Sequence, residues 1–207
     1  MPYRLTLPLQ LYIFNLFPVL LDIIYPSSSQ SATTATRSKA TYALGSALKH
    51  WPLAASVLST ESSKGYSVLK QGVSDKEQVV KRKMAFLVGT LVMQSGEKYT
   101  GEIPTEVENL VTEHTKVSGQ AEVSLLEGLK REGVLSALLE SLKKTSGPEL
   151  DFEENAMRTL GRAAKDGGLS DQEKSELRSI WEQWGEEGRK ERDLIGEDAQ
   201  EISRSLA

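Results

Sequence analysis

The chain has 207 residues, 26% of them charged, and a formal net charge of −4. That length accommodates a domain with its own core, and 39% hydrophobic residues is a globular composition. No cysteine occurs, which excludes disulfides, thiolate metal centres and thiol nucleophiles.

The net charge hides an asymmetry. Residues 1–100 carry 11 Lys and Arg against 5 Asp and Glu, and residues 101–207 carry 14 against 24. A basic half beside an acidic half suits an oriented, electrostatically steered partner. Nucleic acid is not indicated, because no basic cluster is interleaved with stacking aromatics.

Leu5 to Tyr25 is the most apolar region. With Arg4 ahead and residues 27–32 behind, it has the outline of a signal peptide, which would direct the protein to the endoplasmic reticulum lumen. Pro8, Gln10, Asn15, Pro18 and Asp22 interrupt it, and a cysteine-free chain fits the cytoplasm better. The preferred reading is a core helix, LFPVLLDIIY, with Pro18 in its first turn, where a missing N–H costs little. No membrane span is expected. Thr36 reads as the N-cap of a helix running to about His50, with Pro52 marking its end. Gly65 to about Val73 is a second helix. Ser74-Asp-Lys-Glu77 has capping-box spacing and starts the next one.

That helix contains Val80 to Ser95, VKRKMAFLVGTLVMQS, in which three cations precede ten uncharged residues, Met84–Met93. Phe86, Val88, Thr90 and Val92 also suit a buried strand, but length and the repeat described below favour a helix. A helix apolar on every side is expected to be buried on every side. Residues 96–119 hold Gly, Pro and Thr breakers around a polar helix, Glu106–Val117, and read as an insertion. Glu122–Arg131 and Val134–Lys144 are helices hinged at Gly133, and Ser146-Gly-Pro148 is a linker. Asp151 is expected to cap a helix that stops at Gly167-Gly168. Ser170-Asp-Gln-Glu173 is a second capping box, opening a helix with Leu177, Ile180, Trp181 and Trp184 on one face. From Glu186 the chain is mostly charged, and frayed last turns or a weak helix are expected. The expected organisation is an atypical segment 1–13, a repeat domain 14–185 and a charged tail 186–207.

Two segments align without a gap. Thr36-RSKATYALGSAL-Leu48 lies on Val80-KRKMAFLVGTL-Val92, placing Arg37 on Lys81, Lys39 on Lys83, Tyr42 on Phe86 and Gly45 on Gly89, 44 residues apart. A weaker third copy, Asn155-AMRTLGRAA-Ala164, puts Gly161 in the glycine slot after the insertion. A second element alternates with it: Leu16–Ile24, Gly65–Val73 and Gly133–Leu142. A period near 40–47 residues with two or three helices per unit is the pattern of armadillo or HEAT repeats, whose units stack to share one core. The expected fold is all-α, an armadillo/HEAT-like right-handed superhelical solenoid. Glycine inside a helix costs about 1 kcal/mol relative to Ala, so its recurrence at one register points to close helix crossings.

Catalytic chemistry finds little support. His50 and His114 read as surface residues, the first at a helix end and the second in the polar insertion. Gly96-EKYTGE lacks the Gly-Lys-Ser/Thr ending of a phosphate loop. No Asp, Glu or His spacing suggests a metal site. The chain therefore reads as a binding protein without cofactor or metal.

RSKATYALGSALKH, KGYSVLKQGVSD and VKRKMAFLVGTLVMQSG together resemble the armadillo-type nucleotide exchange factors of heat-shock protein 70 chaperones, of the fungal cytosolic type. Glu132-GVLSALLESL and Asp151-FEENAMRTLGRA resemble the last two repeat segments of that family, so the resemblance covers roughly residues 14–185. It implies a monomeric co-chaperone that embraces the chaperone's nucleotide-binding domain and accelerates ADP release. Met1–Tyr12 matches no part of the pattern, and the flexible segment that opens family members is not recognised, so a short form is expected. The basic helix starts, Arg37, Lys39, Lys81, Arg82 and Lys83, are the candidate partner-binding residues, because cations there oppose the helix dipole. Tyr42 and Phe86 are expected in the core, and Trp181 and Trp184 as the apolar seal of the last repeat. The alternative is a non-catalytic armadillo scaffold for another protein or an acidic peptide.

Overall fold

The computed structural model describes residues 16–26, 32–49, 58, 64–95, 125–145, 147 and 149–207. The insertion 96–119, the helix expected at 106–117, both histidines and the atypical segment 1–13 lie outside them. The helices are α1 (Phe17–Ile24), α2 (Thr34–Leu48), α3 (Gly65–Gly72), α4 (Gln78–Met93), α5 (Leu125–Arg131), α6 (Val134–Lys143), α7 (Leu150–Lys165), α8 (Asp171–Glu191) and α9 (Gly196–Ser205). Among the described residues every regular element is a helix.

The helices stack in two rows. α2, α4, α7 and α9 each pack on the next, and α1, α3, α6 and α8 form a second row beside them. α1–α2, α3–α4 and α6–α7 contacts join the rows, and α8 packs on α7. This all-α layout is that of armadillo-like helical repeats. The three aligned segments are α2, α4 and α7, and the alternating element is α1, α3 and α6.

α4 sits at the centre because its sequence leaves it little else to do. It buries Val80, Lys81, Met84, Ala85, Leu87, Val88, Leu91 and Val92. Each fully buried large apolar side chain contributes ~1.5–3 kcal/mol. α4 also ties itself to α2 at two levels: Lys83 Nζ donates to the Ser38 carbonyl at 3.3 Å, and Gln94 Nε2 to the Leu48 carbonyl at 3.1 Å. The last turn of α2 thus finds a partner for one of its unpaired carbonyls on the next unit. Burial on every side does not follow, however. Arg82, Phe86 and Met93 share one open face.

Several helix ends match expectation and others do not. Pro18 lies in the first turn of α1. The Ser170–Glu173 capping box is complete, each side chain meeting the other's backbone N–H. Gly133 (φ 71°) hinges α5 and α6, and Gly167 (φ 79°) ends α7, conformations glycine adopts without strain. The cap of α2 is Thr33, whose Oγ1 accepts from the Thr36 N–H at 3.2 Å; Thr36 is its third helical residue. The box at Ser74–Glu77 does not form. α4 starts at Gln78, because the Asp75 carboxylate closes the turn on the Glu77 N–H at 2.8 Å. Asp151 caps nothing; it lies inside α7 and pairs with Arg82. The charged end does not fray. α8 runs to Glu191 around a break at Gly185 (φ 58°), and α9 packs on α7 and buries Ile202.

One contact recurs at each step of the α2 row. Arg37 pairs with Asp75, donates to the Ile24 carbonyl at 2.9 Å and lies 4.6 Å over the Tyr25 ring. Lys81, its aligned equivalent, pairs with Glu149 and lies 4.5 Å over the Phe152 ring. The third aligned position is Glu153, with the charge reversed. It pairs at 2.8 Å with Arg192, whose guanidinium lies 4.3 Å over Trp184. Each partner sits just ahead of the next helix of the row. All six charged side chains are between 5 and 17% exposed. Burial and the Asp75 hydrogen bond push the Tyr25 hydroxyl far above the ordinary phenol range, so it stays a donor.

The recurrent glycines also face the next helix of the row. A Cβ on Gly89 would stand 2.6 Å from Thr159 Oγ1, and one on Gly161 3.0 Å from Ile202 Cγ1. At Gly45 the nearest atom, Leu87 Cδ1, is at 3.8 Å, an ordinary contact.

Lys81→Met leaves Glu149 buried without its cation and lowers stability by about 3–5 kcal/mol, while adding Glu149→Leu recovers most of it, as read from urea unfolding. Gly45→Ala raises the urea midpoint, since helix propensity gains about 1 kcal/mol without a clash. Gly89→Ala lowers it, since overpacking costs ~1–3 kcal/mol.

Candidate partner-binding face

The five cations singled out from the sequence fall into two groups. Arg37 and Lys81 point into the stack, and their charges are consumed by Asp75 and Glu149. Lys39 is exposed on α2 and makes no ion pair among the described residues. Arg82 meets Asp151 in a solvent-exposed pair on α4. Lys83 is half-buried, its Nζ 5.5 Å from the Tyr42 ring. Helical spacing explains the split: residues 81 and 82 are about 100° apart on the helix, so one enters the stack and the other faces water.

Two aromatics expected in the core lie outside it. Tyr42 is 67% exposed and Phe86 54%, at aligned positions of α2 and α4. Met93, at 60%, continues the Phe86 stripe one turn beyond Thr90. Each stripe mixes cations and large apolar groups: Lys39, Tyr42 and Lys49 on α2, and Arg82, Phe86 and Met93 on α4. The signal was available in the spacing, because Arg82, Phe86 and Met93 lie at intervals of four and seven, on one face with a charge at its head. Aromatics, Met and Arg are the residue types enriched at protein interfaces.

Beside Phe86 and Met93 the surface sinks into a groove of about 500 Å³. Its floor is low because the crossings there use Gly89, Thr159 and Gly161. α7 contributes Asn155, Arg158 and Arg162, and α9 closes the far side with Asp198, Glu201 and Ile202. Arg158 is engaged by Glu154 at 3.2 Å and by Asp198, and its Nη2 donates to the Asp193 carbonyl at 3.0 Å. Partial burial raises the Glu154 carboxyl above its usual value against the pull of Arg158. The groove joins an apolar wall to a cationic one, which suits protein recognition. Among the described residues no group of three or more His, Asp or Glu is placed to hold a metal. No helix among them is long and apolar enough to cross a membrane. Trp181 is buried beneath Arg189, and Trp184 is half-buried beneath Arg192.

No family model and no solved structure matches the chain. A curated relative does: the Hsp70 nucleotide exchange factor FES1 of Cryptococcus neoformans var. neoformans serotype D is 55% identical over 175 residues. The match covers 83% of this chain and 45% of the relative, so the chain spans less than half of that protein's length. Over the shared residues the chain is a homologue of a fungal Hsp70 nucleotide exchange factor, which bears out the resemblance carried by the aligned segments of α2 and α4.

Proposed function

We propose that the chain is a co-chaperone that binds the nucleotide-binding domain of an Hsp70-type chaperone and accelerates ADP release, promoting release and folding of the client. The observation that carries this reading is the 55% identity to FES1 over 175 residues. The proposal concerns the shared repeat region. In this reading no side chain acts as acid, base or nucleophile. The protein prefers a chaperone conformation with displaced lobes over the closed, ADP-bound one, so protein and ADP weaken each other's binding. A coupling of ~1–3 kcal/mol weakens ADP about 5–150-fold. ATP rebinding then displaces the exchange factor.

The contact surface in this proposal is the open face of α2 and α4. Lys39, Arg82 and Lys83 supply charge, and Tyr42, Phe86 and Met93 supply apolar anchors. Arg37 and Lys81 support it from beneath by fixing the spacing of the helices. The cysteine-free chain suits a reducing compartment, and the proposal places it in the cytoplasm as a monomer.

The test is release of a fluorescent ADP from a preloaded chaperone. The protein in stoichiometric excess speeds release severalfold or more; no acceleration, together with no pull-down, rejects the proposal. Phe86→Ala weakens binding to the isolated nucleotide-binding domain about 5–30-fold, the cost of a buried aromatic anchor, with unchanged helicity. Lys83→Glu weakens it as well, and more so at low salt. Titration calorimetry with circular dichroism on each variant separates lost contact from lost fold.

A further inference from the structure

α9 is the least anchored member of its row. α4 buries eight side chains, whereas α9 buries Ile202 within the helix, with Leu194 and Leu206 at its flanks. The rest of its attachment is largely ionic. Asp198 pairs with Arg158, and Glu201 pairs with Lys165 at 3.0 Å and Arg162 at 3.8 Å. These side chains are between 34 and 58% exposed. Pairs that open to water contribute ~0–1 kcal/mol each and are screened by salt. The hydrogen bond from Lys165 holds the Glu201 carboxyl below its usual value, so it stays charged. Arg178 adds a polar tie to the Leu206 and Ala207 carbonyls at the far end.

The attachment has a fixed point and a turn beside it. Arg192 is locked against Glu153 and Trp184. Asp193 and Gly196 follow with φ of 52° and 59°, and between them Ile195 is 54% exposed. Motion of α9 about residues 193–196 leaves the Arg192–Glu153 pair intact and costs the burial of Ile202 and Leu206 and the Arg178 ties. The cations α9 covers, Arg158 and Arg162, line the groove next to Phe86 and Met93. Arginine carries five donors, and its natural counterpart is a carboxylate.

We propose that α9 is a movable strap that forms the far side of the groove. Its Asp198 and Glu201 occupy Arg158, Arg162 and Lys165 until carboxylates on the partner take those cations, and α9 then swings out about residues 193–196. This rests on the proposed function in taking the partner to be the chaperone's nucleotide-binding domain. The strap competes with the partner for the same charges, so the affinity of the groove is set partly by how firmly α9 holds.

Hydrogen exchange on the full chain tests the strap. In the free protein the amides of 196–206 exchange about tenfold or more faster than those of α7, and faster still in about 0.5 M salt, where the Debye length falls to roughly 4 Å. Adding the nucleotide-binding domain speeds exchange in 196–206 and slows it in α4 and α7. Asp198→Asn combined with Glu201→Gln removes the charges but keeps the shape and the Ile202 anchor. It opens α9 at low salt and binds the domain about 3–10-fold tighter. Protection of 196–206 equal to that of α7 in high salt overturns the strap, as does gained protection of 196–206 in the complex. Equal affinity of the neutralised variant also overturns it. A domain that binds neither protein counts against the proposed function, while exchange in the free chain still decides whether α9 opens.

Discussion

A buried charge facing a buried countercharge at each step of the α2 row is the constraint on which the stack depends. Hydrophobic contact alone would let neighbouring helices slide, because leucine packs against leucine at many offsets. An ion pair with an aromatic ring behind it has one satisfactory geometry, and displacement by a turn strands two charges out of water. Such a pair adds little net stability over a well-packed apolar pair, since desolvation offsets most of the attraction. Its contribution is position. With Arg37 on Asp75 and Lys81 on Glu149, the open faces of α2 and α4 lie side by side in a defined register.

The same pairs resolve the cost of cations in the first turns of helices. At these positions the helix dipole is unfavourable by a few tenths of a kcal/mol. Arg37 and Lys81 each meet a carboxylate just ahead of the next helix of the row, which offsets that cost. The neighbouring cations Lys39 and Arg82 are turned away from the stack and lie exposed.

Much of the architecture was legible because it rests on local chemistry repeated along the chain. The helices α1, α3 and α6 and the glycine register of α4 and α7 could be read from apolar spacing, turn residues and alignment. The Ser170 cap is legible because its two members, Ser170 and Glu173, are only three residues apart. The Ser74 box failed because Asp75 had a better use, and that use depends on Arg37, 38 residues away. Tyr42 and Phe86 lie outside the core although they are apolar, because hydrophobicity predicts burial only on average. The charged end looked like a tail because α9 gains its place from long-range contacts with α7 and not from an apolar run of its own. Arg158 and Arg162 are not legible for a related reason: they are set by the acids of α9, 40 and 39 residues downstream.

The reversed polarity of the last pair has an evolutionary consequence. Repeat proteins grow by duplication of units, and each new junction joins an old clamp residue to a copied partner. A second copy of the α3–α4 unit would present an Asp75 equivalent to Lys81, and the junction would close. A second copy of the α6–α7 unit would present a Glu149 equivalent to Glu153, two acids in a site that excludes water, and the junction would not close. A copied α6–α7 unit would therefore need a compensating change of charge at this junction before it could stack as the α4–α7 junction does.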